Sequence, residues 1–149
     1  MESSVVNELN TVLKGEQMAV DAYDRFIEDV DSDAVKDELK RIQRKHSEHA
    51  DEIAARIRAI GGKPDYNTGF AGFMASAKAA MQGMTVNVGT IDILKQAYDG
   101  EDKGIAMARE IVKGDLDSES AGIIDRVLTA DTELMRSVVN LIADIEEKH

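Results

Sequence analysis

Five side chains that commonly bind metals interrupt apolar stretches of this sequence. They are Glu16, His46, His49, Glu101 and Asp131. Each lies among apolar residues spaced three or four apart, so each is predicted to face a protein interior. A buried ionised carboxylate costs on the order of several kcal/mol unless it is paired, hydrogen-bonded or bound to a metal ion. Oxygen and imidazole ligands suit iron, manganese or zinc. The five residues therefore predict a small buried site for a divalent metal.

Two of these residues are equally far from a predicted turn. Glu16 and His46 lie 15 residues on either side of residue 31, where Asp31, Ser32 and Asp33 supply a turn and a helix N-cap. In an antiparallel helical hairpin both side chains lie about 22 Å from the turn. We therefore expect them to face each other.

The second half of the chain repeats this arrangement. Glu101 and Asp131 are each 15 residues from residue 116, and a shift of 85 positions places Glu16 on Glu101 without a gap at the turn. His49 follows His46 by about one helical turn on the same face. All five side chains are thus predicted at one level, where two hairpins meet.

The apolar periodicity predicts four long helices and one long connection. The helices are expected over about 5–30, from the turn at 31–33 to Gly61-Gly62, from Thr90 or Asp92 to about Lys113, and from an N-cap at Asp117 or Ser118 to the C-terminus. Residues 66–84 are rich in Gly, Ala, Phe and Met and predict a crossover that contains a short helix. The expected fold is all-α, an antiparallel four-helix bundle in a single domain of residues 1–149.

Composition argues against several classes of function. The net charge of -11 repels phosphate backbones and anionic lipids, so we expect neither nucleic acid nor membrane as a partner. The absence of cysteine excludes thiolate catalysis and iron–sulfur ligation. No stretch has the length and apolarity of a signal peptide or membrane span, so we expect a cytoplasmic protein.

The segments around the five residues resemble the ferritin-like superfamily. They are KGEQMAVDAYDRF (14–26), KHSEHADEI (45–53), DGEDKGIAMAREI (99–111) and ADTELMRSV (130–138). The resemblance spans residues 5 to about 147. It is to the group of rubrerythrin and bacterioferritin, and most closely to an uncharacterised bacterial family of ferritin-like domains. It implies a ferritin-like bundle in which Glu16 and Glu101 match metal-binding carboxylates.

The sequence departs from the superfamily on its second and fourth helices, where catalytic members carry Glu-x-x-His pairs. His46-x-x-His49 replaces the first pair and Asp131-x-x-Leu134 replaces the second. The first hairpin keeps a rather complete set of ligands, Glu16, His46 and His49. The second hairpin keeps only a weak set, Glu101 and Asp131. The resemblance implies one or two iron ions, and the departures leave a mononuclear site open, with zinc or manganese as alternatives to iron.

Two functions remain open at this point. The first is a metal-binding protein, with iron as the expected ion and with ferroxidase or peroxide-related activity in a stress response implied by the resemblance. The second is a non-catalytic structural or interaction protein in which His46 and His49 hydrogen-bond directly to Glu16 and Glu101. Enzymatic activity is left undecided.

Three further expectations concern the surroundings of the site. Tyr23 and Tyr98 are interpreted as core aromatic residues, with a hydrogen bond to a ligand carboxylate as the alternative. A homodimer is expected, which would bury an apolar surface formed by Phe70, Phe73 and Met74. Gly15 and Gly100, which precede the two glutamates, suggest crowding that only a small residue tolerates.

Overall fold

A computed structural model describes residues 2–67 and 89–148. Four long helices occupy these ranges: α1 (Glu2–Asp29), α2 (Asp33–Ala59), α3 (Thr90–Val112) and α4 (Ser118–Glu147). The predicted all-α, ferritin-like four-helix bundle is confirmed, and the predicted helix ends agree with the structure to within a few residues. The predicted short helix in the crossover, and the surface of Phe70, Phe73 and Met74, lie outside the described residues.

Neighbouring helices in the bundle run antiparallel. Along α1 and α3, Glu8 lies beside Gly114 and Tyr23 beside Glu101, so the two helices run in opposite directions. Along α2 and α4, Arg41 bonds to Ser137 and Arg56 to Ser120, so these two helices also run in opposite directions. Because α1–α2 and α3–α4 are hairpins, α2 and α3 lie on a diagonal and run parallel. A parallel pair needs a crossover along the length of the bundle, which accounts for the long segment between them.

Caps and turns fix where the helices of each hairpin begin. Ser32 caps α2 by accepting a hydrogen bond from the Val35 backbone nitrogen at 3.3 Å, and Asp117 caps α4 by accepting one from Ser120 at 3.2 Å. At the end of α2, Gly61 has a φ of +86°, a left-handed conformation that favours glycine.

The chain after α2 is fastened to α1 by side chains. Asn10 donates to the carbonyl oxygen of Lys63 at 3.1 Å and accepts from the backbone nitrogen of Asp65 at 2.8 Å. Lys14 pairs with the Asp65 carboxylate at 3.0 Å. These contacts hold the start of the crossover against the first hairpin.

The core consists of two apolar clusters. One contains Leu13, Ile53 and Ile124 among others, and the second contains Leu39, Leu94 and Val138 among others. On every helix, the residues of the first cluster and those of the second are separated in sequence by a predicted metal-binding residue. The two clusters therefore enclose a polar layer across the bundle.

None of the helices in the described ranges combines the length and apolarity needed to cross a lipid bilayer.

We expect Asp117→Ala to destabilise the bundle by about 1 kcal/mol, because it removes the α4 cap and one of the partners of Arg56, which lies 2.8 Å away. Thermal denaturation followed by circular dichroism should show a fall in Tm of about 2–4 °C. Asp115→Ala removes an exposed carboxylate from the same turn and serves as the control. Equal Tm values for the two variants would contradict the role of the cap.

Candidate metal centre

The five predicted site residues come together in one buried layer at mid-bundle. Glu16 comes from α1, His46 and His49 from α2, Glu101 from α3 and Asp131 from α4. None of them is more than 9% exposed. Every helix thus contributes to a buried cluster of three carboxyl groups and two imidazoles.

His46 lies at the centre and uses both ring nitrogens. Its Nδ1 is 3.2 Å from Glu16 Oε2 and 3.5 Å from Asp131 Oδ1. On the opposite side of the ring, Nε2 is 2.9 Å from Glu101 Oε2. The same Glu101 oxygen accepts a hydrogen bond from the Tyr23 hydroxyl at 2.7 Å. His46 therefore divides the layer into a side with Glu16 and Asp131 and a side with Glu101 and Tyr23.

Asp131 holds an oxygen without a hydrogen-bond donor. His49 Nδ1 donates to Glu16 Oε1 at 2.8 Å. Asp131 Oδ1 lies 3.0 Å from the same nitrogen, within ion-pair distance, but that nitrogen's hydrogen points at Glu16, and among the described residues Oδ1 has no hydrogen bond. A buried acceptor without a hydrogen bond is costly, so this oxygen is the atom of the cluster with most to gain from a metal ion.

Four of the five residues converge on a common point. Glu16, His46, His49 and Asp131 each offer one donor atom, and these atoms all lie within 4.8 Å of one another. Donors bound tetrahedrally to one ion at about 2.0–2.2 Å are separated by about 3.3–3.6 Å. The nitrogen–oxygen separations between these residues are 2.8–3.5 Å, but they involve both oxygens of Glu16. Because the four donor atoms lie up to 4.8 Å apart, some of them would have to move closer together to bind one ion. Glu101 is not part of this group.

The cluster shifts the pKa values of its members in opposite directions. Burial alone would raise the pKa of Glu16, but the hydrogen bonds from His46 and His49 outweigh it and lower that pKa to about 2. Burial alone would lower the pKa of both histidines. The Asp131 and Glu16 carboxylates instead raise the pKa of His49 to about 9, and Glu101 and Glu16 hold the pKa of His46 well above its usual value.

Asp131 and Tyr23 are affected mainly by burial. Burial, reinforced by the charge of Glu16, raises the pKa of Asp131 to about 7 even though the histidines oppose the rise. Burial and the neighbouring Glu101 hold the pKa of Tyr23 well above its usual value. Tyr23 therefore keeps its proton and acts as a donor, whereas Asp131 is held in a setting that disfavours its charge unless a cation is present.

A groove between α2 and α4 leads to this layer. These two helices pack less closely than the other neighbouring pairs, and they leave a groove of about 490 Å³. His49, Val127 and Leu134 are its buried lining residues, and its exposed lining residues are charged, among them Lys45 and Glu52. His49 is thus the member of the cluster that also borders a space open to small molecules.

The surroundings of the site differ from the sequence-based expectations in two ways. Tyr23 is a core aromatic residue, as interpreted, but it also makes the hydrogen bond to Glu101 that had been the alternative. A Cβ atom at Gly15 would lie 2.8 Å from Met107 Cε, the end of a flexible side chain that can turn away, whereas one at Gly100 would meet no described atom within 4 Å. Among the described residues, crowding that only a small residue tolerates is therefore not confirmed at Gly15 and is wrong at Gly100. The ligand roles of the five residues stay predictions.

The family model for the domain of unknown function DUF2383 matches residues 4–114. The chain belongs to this family. The matched range includes Glu16, His46, His49 and Glu101 and ends before Asp131. No curated protein matches the chain.

Two solved structures share the fold of this DUF2383 member. One is a two-domain protein of Anabaena variabilis ATCC 29413 with DJ-1/ThiJ/PfpI-like and ferritin-like domains, at 14% identity and a TM-score of 0.79; the match covers 100% of this chain and 39% of that protein. The other is a dodecameric thioferritin, the bacterioferritin-related protein of Bacteroides fragilis, at 20% identity and a TM-score of 0.74, covering 99% of this chain and 91% of that one. This chain thus spans well under half of the two-domain protein, and the likeness establishes the ferritin-like fold.

We expect the metal-free protein to lose stability as the pH rises from 6.5 to 9. The pKa of His49 is about 9 in the folded protein and about 6.5 in an unfolded chain. The folded state therefore binds this proton more tightly, and the stabilisation is full below pH 6.5 and is lost as the pH rises through 9. Because the ring borders the groove, the loss should be about 1–2 kcal/mol, less than the full shift implies, or about 2–8 °C in Tm.

The measurement is a series of thermal melts in the presence of chelator, with His49→Gln compared with the unaltered chain. His49→Gln should melt at a lower temperature throughout but with a flatter dependence on pH. Asp51→Asn changes an exposed carboxylate on the same helix and should leave the dependence unchanged. Identical slopes for His49→Gln and the unaltered chain would rule out His49 as the titrating group.

Proposed function

We propose that this chain is a metal-binding protein that holds a divalent ion, with iron as the expected metal, in the polar layer of its bundle. The ligands in this proposal are Glu16, His46, His49 and Asp131. The observation that supports it is the buried Asp131 Oδ1, which has no hydrogen bond and lies within 3.0 Å of His49 Nδ1 and 3.5 Å of His46 Nδ1.

The donor set fits such an ion in charge and in chemistry. Two carboxylates balance the charge of a divalent cation, and two imidazoles complete a set of four ligands without cysteine. Mixed oxygen and nitrogen ligands of this kind are used for iron, manganese and zinc. A metal ion would bind Asp131 Oδ1 directly, in place of its ion pairs with the two histidines, and would offset the cost of burying its charge.

Iron is preferred among these metals because the bundle shares its fold with ferritin-like proteins. An iron ion bound at these residues would supply one-electron redox chemistry towards dioxygen or peroxide. The protein's own contribution is to hold the two acids and two imidazoles in place. The apolar clusters on either side keep bulk water out, and the α2–α4 groove beside His49 gives small molecules a path to the site.

A structural role for the same layer is the second candidate function. Without any metal, His46 already bonds to Glu16 and Glu101, and His49 bonds to Glu16. These bonds satisfy most of the buried polar atoms and could serve only to set the register of the four helices. The two candidates differ in whether a divalent ion binds at Asp131 and His49.

Anaerobic titration with Fe(II) should show at least one equivalent bound per chain. His49→Ala removes one ligand and should weaken binding by about 100-fold or more, a loss at the upper end of what changes around metal sites produce. Asp51→Ala removes a carboxylate from the exposed face of the same helix and should bind as the unaltered chain does. Binding of less than one equivalent, or equal binding by His49→Ala, would contradict the proposal.

Thermal stability distinguishes the two candidate functions. A metal that binds only the folded chain adds about 2.7 kcal/mol when it is present at 100 times its Kd. For a chain of this length the corresponding rise in Tm is about 5–10 °C. Protein purified without a histidine tag should lose this increment on addition of chelator and regain it with Fe(II). A Tm that neither chelator nor metal changes would support the structural role.

A further inference from the structure

We propose that Glu101 and Tyr23 position His46 for the metal and do not bind it, so that the site takes a single ion on the Glu16 and Asp131 side of the ring. This inference rests on the proposed function and specifies it further. It separates Glu101 from the four ligands, although all five residues were predicted together from the sequence.

The two nitrogens of His46 face different partners. Nδ1 points towards Glu16 and Asp131, and Nε2 points to Glu101. An ion held by Glu16, His49 and Asp131 can therefore bind His46 through Nδ1. The imidazole ring lies between that ion and the Glu101 oxygen bonded to Nε2. Glu101 thus contacts a ligand on the side away from the metal.

The hydrogen bonds of Glu101 and Asp131 also indicate that Asp131 is the ligand and Glu101 is not. Glu101 Oε2 accepts one hydrogen bond from Tyr23 at 2.7 Å and another from His46 at 2.9 Å. Asp131 Oδ1 accepts none. A buried oxygen with two donors gains little from a cation and would lose both bonds by turning towards one. Asp131 Oδ1 has only its ion pairs with His46 and His49, which a metal ion would replace with direct bonds to the same groups. The hydrogen bonding therefore favours Asp131 as ligand and Glu101 as support.

Tyr23 is itself held in place by packing. Its ring is 2% exposed, lies 5.4 Å from the Phe26 ring in an edge-to-face arrangement and 5.7 Å from the His46 ring. The hydroxyl consequently has a fixed direction towards Glu101. Tyr23 orients the carboxyl group, and the carboxyl group orients the imidazole.

This chain of contacts determines which nitrogen of His46 can bind a metal. With the Nε2 hydrogen donated to Glu101, the lone pair of the neutral ring is on Nδ1, the nitrogen that faces Glu16 and Asp131. A carboxylate behind a ligating histidine fixes the ring orientation and makes the ligand more basic, and its loss typically weakens metal binding by about 10–100-fold. Glu101 occupies that position here.

Co(II) is a suitable probe because its absorption spectrum reports the ligands and their geometry. The unaltered chain should bind one Co(II). Glu101→Leu should lower its affinity by about 10–100-fold, with the stoichiometry still one. Glu101→Gln retains an oxygen that can accept from both Tyr23 and His46, and it should lower the affinity by less than about 10-fold and preserve the spectrum.

Two further measurements separate positioning from general damage to the fold. Tyr23→Phe keeps the packed ring and removes only the hydroxyl, so it should weaken Co(II) binding by about 2–10-fold with one ion still bound. In proton NMR of the Co(II) form, the His46 Nε2 hydrogen should exchange slowly with water in the unaltered chain and in Glu101→Gln. The same signal should be lost or exchange rapidly in Glu101→Leu.

The inference is overturned if the unaltered chain binds two Co(II) ions and both Glu101 variants bind one, because Glu101 would then be a ligand. It is also overturned if Glu101→Gln loses as much affinity as Glu101→Leu, since an amide oxygen replaces an acceptor but not an anionic ligand. Either result leaves the proposed metal function intact. Failure of the unaltered chain to bind any Co(II) or Fe(II) would instead refute the proposed function and this inference together.

Discussion

The burial of five ionisable side chains in one layer is the constraint on which the rest of this bundle depends. Each helix contributes at least one of them, and apolar clusters close the layer on both sides. Sliding any helix by one turn would place a carboxyl or imidazole group against aliphatic side chains and leave its partners unpaired. The cost would be on the order of several kcal/mol for each buried charge. The caps at Ser32 and Asp117 and the fastening of the crossover to α1 fix the helix ends, but the polar layer fixes how the four helices align.

Within that layer, hydrogen bonding is unevenly distributed. On one side, Tyr23 and His46 Nε2 both hydrogen-bond to Glu101 Oε2. On the other side, His49 borders the α2–α4 groove and Asp131 Oδ1 has no donor. The first side behaves as a rigid support and the second as the place where a ligand can still be accommodated. This asymmetry is expected of a functional site, where the supporting residues are fully bonded and the reactive atoms are not.

This chain shares its fold with other proteins, but the polar residues of its central layer must be considered on their own. The bundle is retained in proteins that are 14% and 20% identical to it, because apolar stripes at helical spacing can be met by many sequences. The family model identifies the domain without naming a function. A shared fold does not carry an activity with it, so the residues of the layer and their distances are what bear on the function of this chain.

The sequence by itself determined the helices, the antiparallel hairpins and the level of the site. Helical periodicity gave the first two, and equal distances from two turns placed Glu16 opposite His46 and Glu101 opposite Asp131. What the sequence could not determine is which way each side chain points within the layer, because spacing along a helix gives a height and a face but not a partner across the core. Only the packed bundle placed Glu101 behind His46 beside Tyr23, left Asp131 Oδ1 without a donor and opened the groove at His49. The expected crowding at Gly100 is wrong for the same reason: none of the described residues comes close to α3 at that position, a fact that depends on the distance between helices and not on the order of residues within them.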